Sequence, residues 1–348
     1  MICQGFVQNY SGLIATRFFL GLAEAGIFPG SFYLISFWYK REEAQQRFTV
    51  YWCSVLTASM FGGLLASAIA NMDGIRGLSS WRWIFILEGI ATVAVGFAAF
   101  FLVSDFPTDA KWLTEDEREW VVTRTAIGEK SDQSINARTL LHFFADVKNI
   151  LAGVMYFSVV IPIYAFAYFA PTIVKTLGYS AVNTQLHTVP PTAAALALCL
   201  IMAYLSDRTG LRSPFIGFGL GLIISGLAIL ITVHHTFSAQ YAGLCLVAMG
   251  AFSAGPIIIC WYVMSLDGHV NRSIGSAWII GFGNTGGIVA TFAFLAKDAP
   301  RYHTGYSILL AFVCLGSLAT ALYMACVWRQ VKRIRANDPP EEGRRRYF

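Results

Sequence analysis

The chain has 348 residues, of which 56% are hydrophobic and only 13% charged, with a formal net charge of +5. A soluble domain carries about 25% charged residues, so a chain this apolar has too little polar surface to cover itself in water. Composition therefore excludes a soluble enzyme and points to a protein whose outer surface faces lipid.

A helix needs about 20 mostly apolar residues to cross the hydrocarbon core. Nine stretches meet that requirement, at 12–39, 48–70, 83–103, 150–174, 186–206, 214–233, 240–266, 273–296 and 305–328. The runs are continuous rather than alternating, which favours helices over barrel strands. The first stretch carries Arg17 and Glu24, seven residues apart, and the third carries Glu88. Between the third and fourth lies the one long polar connection, 104–149. It contains Thr114-x-x-Glu117 ahead of Trp120-Val121-Val122, a capping-box pattern that predicts a short amphipathic helix at the membrane surface, with a plain solvated linker as the alternative. The connection divides the chain into 1–103, the linker 104–149, a six-span part 150–328 and a tail 329–348.

Lys and Arg concentrate on the side where a membrane protein meets the cytoplasm. With the C-terminus inside, 19 basic residues fall in inner segments and five in outer ones, and Arg17 lies within a span. The seven cysteines show no paired spacing and read as small packing residues. There is no metal-ligand cluster, nucleophile triad or phosphate-binding glycine loop, so no cofactor is expected. The basic tail suits anionic lipid rather than nucleic acid.

Two parts of the chain resemble each other. Gly21-x-x-x-Ala25-Gly26 precedes Pro29, and Gly250-x-x-x-Ala254-Gly255 precedes Pro256. Arg47 lies 15 residues before Gly62-Gly63, and Arg272 lies 14 before Gly286-Gly287. Repeated halves are frequent in secondary transporters.

A charge inside a span is a functional-site hypothesis by default. Arg17 and Glu24 share a helix face about 10 Å apart along the axis. Arg17 either faces a cavity, where a guanidinium suits a carboxylate, or snorkels to the outer edge. At the depth of Glu24 desolvation disfavours the carboxylate, so this group can take and release a proton, or else make a structural hydrogen bond. Glu88 has the same two readings, with the structural one favoured by its closeness to Trp81-Arg82-Trp83. Asn284, Tyr164, Tyr168 and Trp261 are candidates for shaping a substrate site, and ordinary packing is the alternative for each. Gly283-x-x-x-Gly287 and Gly217-x-x-x-Gly221 predict close helix contacts. Asp207, Arg208, Gly210 and Arg212 fall at a turn after the fifth span, where charge pairs can break and re-form.

The run Arg17-Phe-Phe-Leu-Gly21-Leu-Ala-Glu24-Ala-Gly-Ile-Phe-Pro29-Gly30 resembles the fourth helix of major facilitator superfamily transporters, and more narrowly the fungal anion:cation symporters that include allantoate and nicotinate permeases. Trp81-Arg-Trp-Ile-Phe-Ile-Leu-Glu88-Gly89, Asp105-Phe-Pro, Val189-Pro190-Pro191 and Ser206-Asp207-Arg208-Thr-Gly210-Leu-Arg212 resemble the same group. The resemblance implies an all-α membrane protein with the major facilitator fold. Of its twelve helices, about the first two and a half would be lacking. It also implies a monomeric plasma-membrane carrier of a small organic anion with a proton, and a gating role for the Asp207–Arg212 loop. A non-transporting fragment or a membrane sensor is the competing reading.

Overall fold

The computed structural model describes residues 1–40, 43–125, 136–176, 181–233, 236–266, 268–294, 298 and 302–337. Arg41, Lys297, Arg301 and the tail beyond 337 lie outside the described residues. No strand occurs among those described. Thirteen α-helices do: α1 (Tyr10–Glu24), α2 (Ile27–Trp38), α3 (Ala44–Ala70), α4 (Ser80–Leu102), α5 (Glu115–Thr125), α6 (Ala137–Ala145), α7 (Val147–Thr176), α8 (Ala181–Thr209), α9 (Ser213–Thr232), α10 (Phe237–Ser265), α11 (His269–Asn284), α12 (Gly286–Ala293) and α13 (His303–Asn337). A 3-10 turn, Ile2–Phe6, precedes them and packs on α4.

Among the described residues eight spans, counting α1 and α2 together, are long and apolar enough to cross a membrane. They coincide with eight of the nine expected stretches. The remaining one, 273–296, is divided: α11 ends at Asn284 and α12 starts at Gly286, inside a run that holds four glycines. The first stretch is also interrupted. Ala25 and Gly26 form a turn, and α2 restarts with Pro29 in its first turn. Proline lacks the N–H that would bond back four residues to Ala25, so the helix loses a rung where glycine already weakens it.

The core lies among α7 to α13, and α3 joins it through Phe48, Trp52 and Leu56. Glycines set the closest approaches. Gly226 faces Gly243, and Gly250 packs on the Gly219 carbonyl, so α9 and α10 touch backbone to backbone. Gly217 and Gly221, expected to do this, meet nothing within 4 Å, so the α9 contact uses a different face. Gly283 and Gly287 do make close contacts, with Tyr156 and Tyr164 of α7. The linker contributes two of the helices, α5 and α6. Thr114 and Glu117 form the expected capping box, with the Thr114 N–H and hydroxyl donating to Glu117 Oε2 at 3.0 and 2.9 Å.

Candidate functional site

The glycines of α11 and α12 help shape a cavity between α1–α3 on one side and α7, α10 and α11 on the other. Tyr156 and Tyr164 rest on Gly283 and Gly287, which leaves their faces toward α2 and α3 free to line a space of about 440 Å³. Glu24, Phe28, Trp52, Ser59, Phe252 and Asn284 complete the wall with several aliphatic neighbours. The Tyr164 hydroxyl donates to Asn284 Oδ1 at 3.2 Å, on the last residue of α11. Trp52 is 4% exposed, and its indole N–H meets no acceptor in the protein. A mostly apolar wall with a few convergent polar groups is the usual make-up of a small-molecule site.

Three of the expected residues therefore come together: Glu24, Tyr164 and Asn284. Others do not. Tyr168 lies against Tyr164, with ring centroids 5.6 Å apart, but is 53% exposed and outside the cavity wall. Trp261 is buried on α10, edge-on to Tyr323 at 4.8 Å, also away from the wall. Arg17 places its guanidinium 5.3 Å over the Phe85 ring of α4. Glu88 is half-buried on α4. Tyr156, Trp52, Phe28 and Phe252 are wall residues that sequence reasoning passed over. Tyr156, Val160, Ile163, Tyr164 and Ala167 repeat at helical spacing, so extending the Tyr164 face backward rather than forward finds Tyr156.

The turn after α8 behaves as a clasp. Gly210 sits at φ 69°, a left-handed conformation that glycine adopts without cost, and its N–H bonds to the Ser206 carbonyl at 3.0 Å. The turn brings Arg212 back to Asp207 at 3.5 Å, with both side chains buried. Asp207 Oδ2 accepts from the Gln46 N–H at 2.9 Å, at the N-terminus of α3, where a carboxylate is favoured. Arg212 donates to Gln45 Oε1 at 2.7 Å. Arg208 is exposed. A second contact joins the same end. Arg272, at the start of α11, donates to the Ser36 carbonyl of α2 at 3.1 Å and lies over Phe37 at 5.4 Å. His269 stacks on Phe37 at 4.2 Å, and its Nδ1 lies 3.3 Å from the Tyr33 hydroxyl. Phe28 of the cavity and Ser36 of this contact are eight residues apart on α2, about 12 Å along the axis. The bundle is thus tied together at its linker end, beyond one end of the cavity. Among the described residues no group of three or more His, Cys, Asp or Glu side chains could hold a metal.

Comparison with known proteins agrees with this architecture. Residues 1–291 match the profile of the Major Facilitator Superfamily. An MFS-type transporter of Penicillium expansum, cnsO, is 29% identical over 98% of this chain and 68% of its own length. A protein of Agrobacterium vitis named as a candidate tartrate transporter is 30% identical over 92% of this chain and 71% of its own. The chain spans about two thirds of the length of these relatives. Among solved structures, the proton:xylose symporter XylE superposes with a TM-score of 0.64 at 16% identity, covering 90% of this chain and 68% of the symporter. A bacterial homologue of the lysosomal transporter Spinster, inward-facing and occupied, superposes at 0.56 and 16% identity, covering 93% of this chain and 78% of its own. With an all-helical, multi-span architecture and a profile match over most of its length, this chain is an integral membrane protein that belongs to the major facilitator superfamily.

Proposed function

We propose that this chain carries a small organic anion together with a proton, by alternating access around the cavity of Glu24, Tyr164 and Asn284. The supporting observation is the make-up of the wall: Glu24 is its one charged member, among aromatic rings and neutral donors. A carboxylate beside an anionic ligand is repelled, and a proton on Glu24 removes the repulsion. Anion entry and proton uptake are then linked at one residue. The Trp52 N–H, the Tyr164 hydroxyl and the Asn284 amide are the donors within or beside the wall that suit a carboxylate. Arg17, about 10 Å from Glu24 along α1, supplies positive charge on the approach rather than in the cavity. Glu88, beside the 3-10 turn, serves packing more than coupling.

The clasp of Asp207 and Arg212 on Gln45 and Gln46 holds the linker end shut, and its release opens the cavity to that side. The 19-to-5 bias of basic residues supports a cytoplasmic linker and C-terminus. The plasma membrane, a monomeric state and small carboxylates of the nicotinate, allantoate or tartrate kind follow from resemblance to relatives, one of which carries tartrate in its name.

Uptake of labelled nicotinate, allantoate and tartrate by cells expressing the protein, with and without an inward proton gradient, tests the reading. The expected result is gradient-driven uptake of a carboxylate that Glu24→Gln makes independent of pH. Full gradient dependence in that variant would overturn the coupling role. Correctly inserted protein that moves no anion would favour the non-transporting reading.

A further inference from the structure

A second cavity, of about 340 Å³, lies at the linker end within the later helices, bounded by α6 and the ends of α7, α10, α11 and α13. Its floor is polar and satisfied. The Tyr262 hydroxyl donates to Asn149 Oδ1 at 2.8 Å, and the Ser265 and Tyr323 hydroxyls lie 3.2 Å apart. Tyr262 and Tyr323 are each 2% exposed, and their hydroxyl oxygens remain able to accept a further bond. At the mouth sit Asp146 and Lys148, with the His142 ring of α6 also in the wall. Lys148 Nζ is 3.1 Å from Asp146 Oδ2 and donates to Gln330 Oε1 at 2.8 Å.

The charges select the ligand. A simple anion meets Lys148 but is repelled by Asp146, and a simple cation meets the reverse. A zwitterion satisfies both, with its ammonium on Asp146 and its acidic group on Lys148. The Asp146–Lys148 pair is partly exposed, at 45% and 30%, so it is weakly held and open to exchange with such a ligand. The surroundings point to an amphiphile rather than a free solute. Helix α6 turns Thr139, His142 and Phe143 to the cavity and leaves Leu141 73% exposed and Phe144 36% exposed beside it. Val147 and Ile150 of the adjoining turn of α7 are also uncovered. An amphipathic helix of this kind lies in the membrane interface with its apolar side among acyl chains.

We infer that this cleft binds the headgroup of an ethanolamine phospholipid from the leaflet on the linker side. The primary ammonium donates hydrogen bonds to Asp146, the phosphate accepts from Lys148, and the acyl chains run past Leu141 and Phe144.

The test is native mass spectrometry of the intact protein in detergent, with phosphatidylethanolamine, phosphatidylcholine and phosphatidylglycerol of matched chains. Ethanolamine lipid is expected to stay bound about tenfold more than either other lipid, the size of one charge-assisted hydrogen bond. Phosphatidylcholine has no N–H for Asp146, and phosphatidylglycerol has no cation. Asp146→Ala should remove that preference and Lys148→Ala should weaken binding of all three lipids alike, while Arg138→Ala, on α6 outside the cavity wall, should change neither. Equal binding of the three lipids by the unaltered protein would overturn the proposal even if a variant failed to fold. Soluble O-phosphoethanolamine competing as strongly as the lipid would overturn the membrane source.

Discussion

Helix α10 and the α1–α2 pair carry similar small-residue patterns ahead of a proline, and their structures differ. Helix α10 runs unbroken from Phe237 to Ser265 through Pro256, and 83% of its apolar window is buried inside the protein. The first span stops at Glu24, turns, and restarts at Ile27, with 6% of its window buried. Neighbours explain the difference. Gly250 lies against the Gly219 carbonyl, and Gly255 lies so close to the Trp52 ring that an added Cβ would come within 3.0 Å of it, so α10 is held on several sides. An added Cβ at Gly21 or Gly26 would meet nothing within 4 Å. A proline removes the same hydrogen bond in both places, but only a helix gripped by others is held continuous across the gap. In the first span the gap places Glu24 at a helix end beside the cavity.

The sharpest way to break the comparison is at the clasp, where the less covered helices are tied to the covered ones. Arg212 and Asp207 are both buried, so Arg212→Ala strands a carboxylate and should cost about 3–5 kcal/mol. Glu43 and Arg124 form another pair involving α3, at 2.9 Å, but with 49% and 39% of their side chains exposed. Glu43→Ala should cost less than about 1 kcal/mol. Thermal denaturation of both variants in the same detergent checks the ranking. Equal losses would mean that burial at the linker end does not govern stability.

The two small-residue patterns offer a matched pair of substitutions. Gly250→Ala drives a methyl group into the Gly219 carbonyl and should destabilise by about 1–3 kcal/mol. Gly21→Ala meets open space and replaces glycine within a helix, so it should be neutral or stabilise by up to about 1 kcal/mol. Midpoints of thermal unfolding decide it. A loss at Gly21 as large as at Gly250 would place a neighbour on α1 that the described residues do not include.

What could be read from the chain follows the range of each interaction. Spans, their polar breaks and the capping box depend on residues within a few positions, and they were legible. The Gly210 turn was legible for the same reason. The partners of Asp207 and Arg212 were not, because Gln45 and Gln46 lie 161 to 167 residues away and look like ordinary helix-start residues. The face of a lipid-embedded helix is equally hard to read, since the lipid side and the packed side are both apolar. That is why Tyr168 and Trp261 were as plausible as Tyr164, and why Tyr156 and Trp52 were passed over. Arg17 and Glu24 share a face by spacing, but Glu24 closes α1 beside the cavity while Arg17 lies nearly two turns back, level with α4. Glu24 reaches the cavity wall while Arg17 packs on Phe85.

The smallest effect belongs to the linker, where helix α5 has no buried residue and its first turn rests on a local cap. Its capping box holds the Glu117 carboxyl below its ordinary value of 4.5, chiefly through the Thr114 N–H and then the Thr114 hydroxyl. A carboxylate lowered on folding stabilises the folded form above its ordinary value, and that contribution disappears as pH falls through the lowered one. Amide exchange at the start of α5, corrected for intrinsic pH dependence, should therefore quicken below about pH 4.5, by roughly two- to tenfold if the cap is typical. Thr114→Val keeps the N–H and removes the hydroxyl, so it should retain the larger part of the pH response. The same quickening in α10 would contradict the distinction drawn above, because a helix gripped by its neighbours does not depend on one exposed cap.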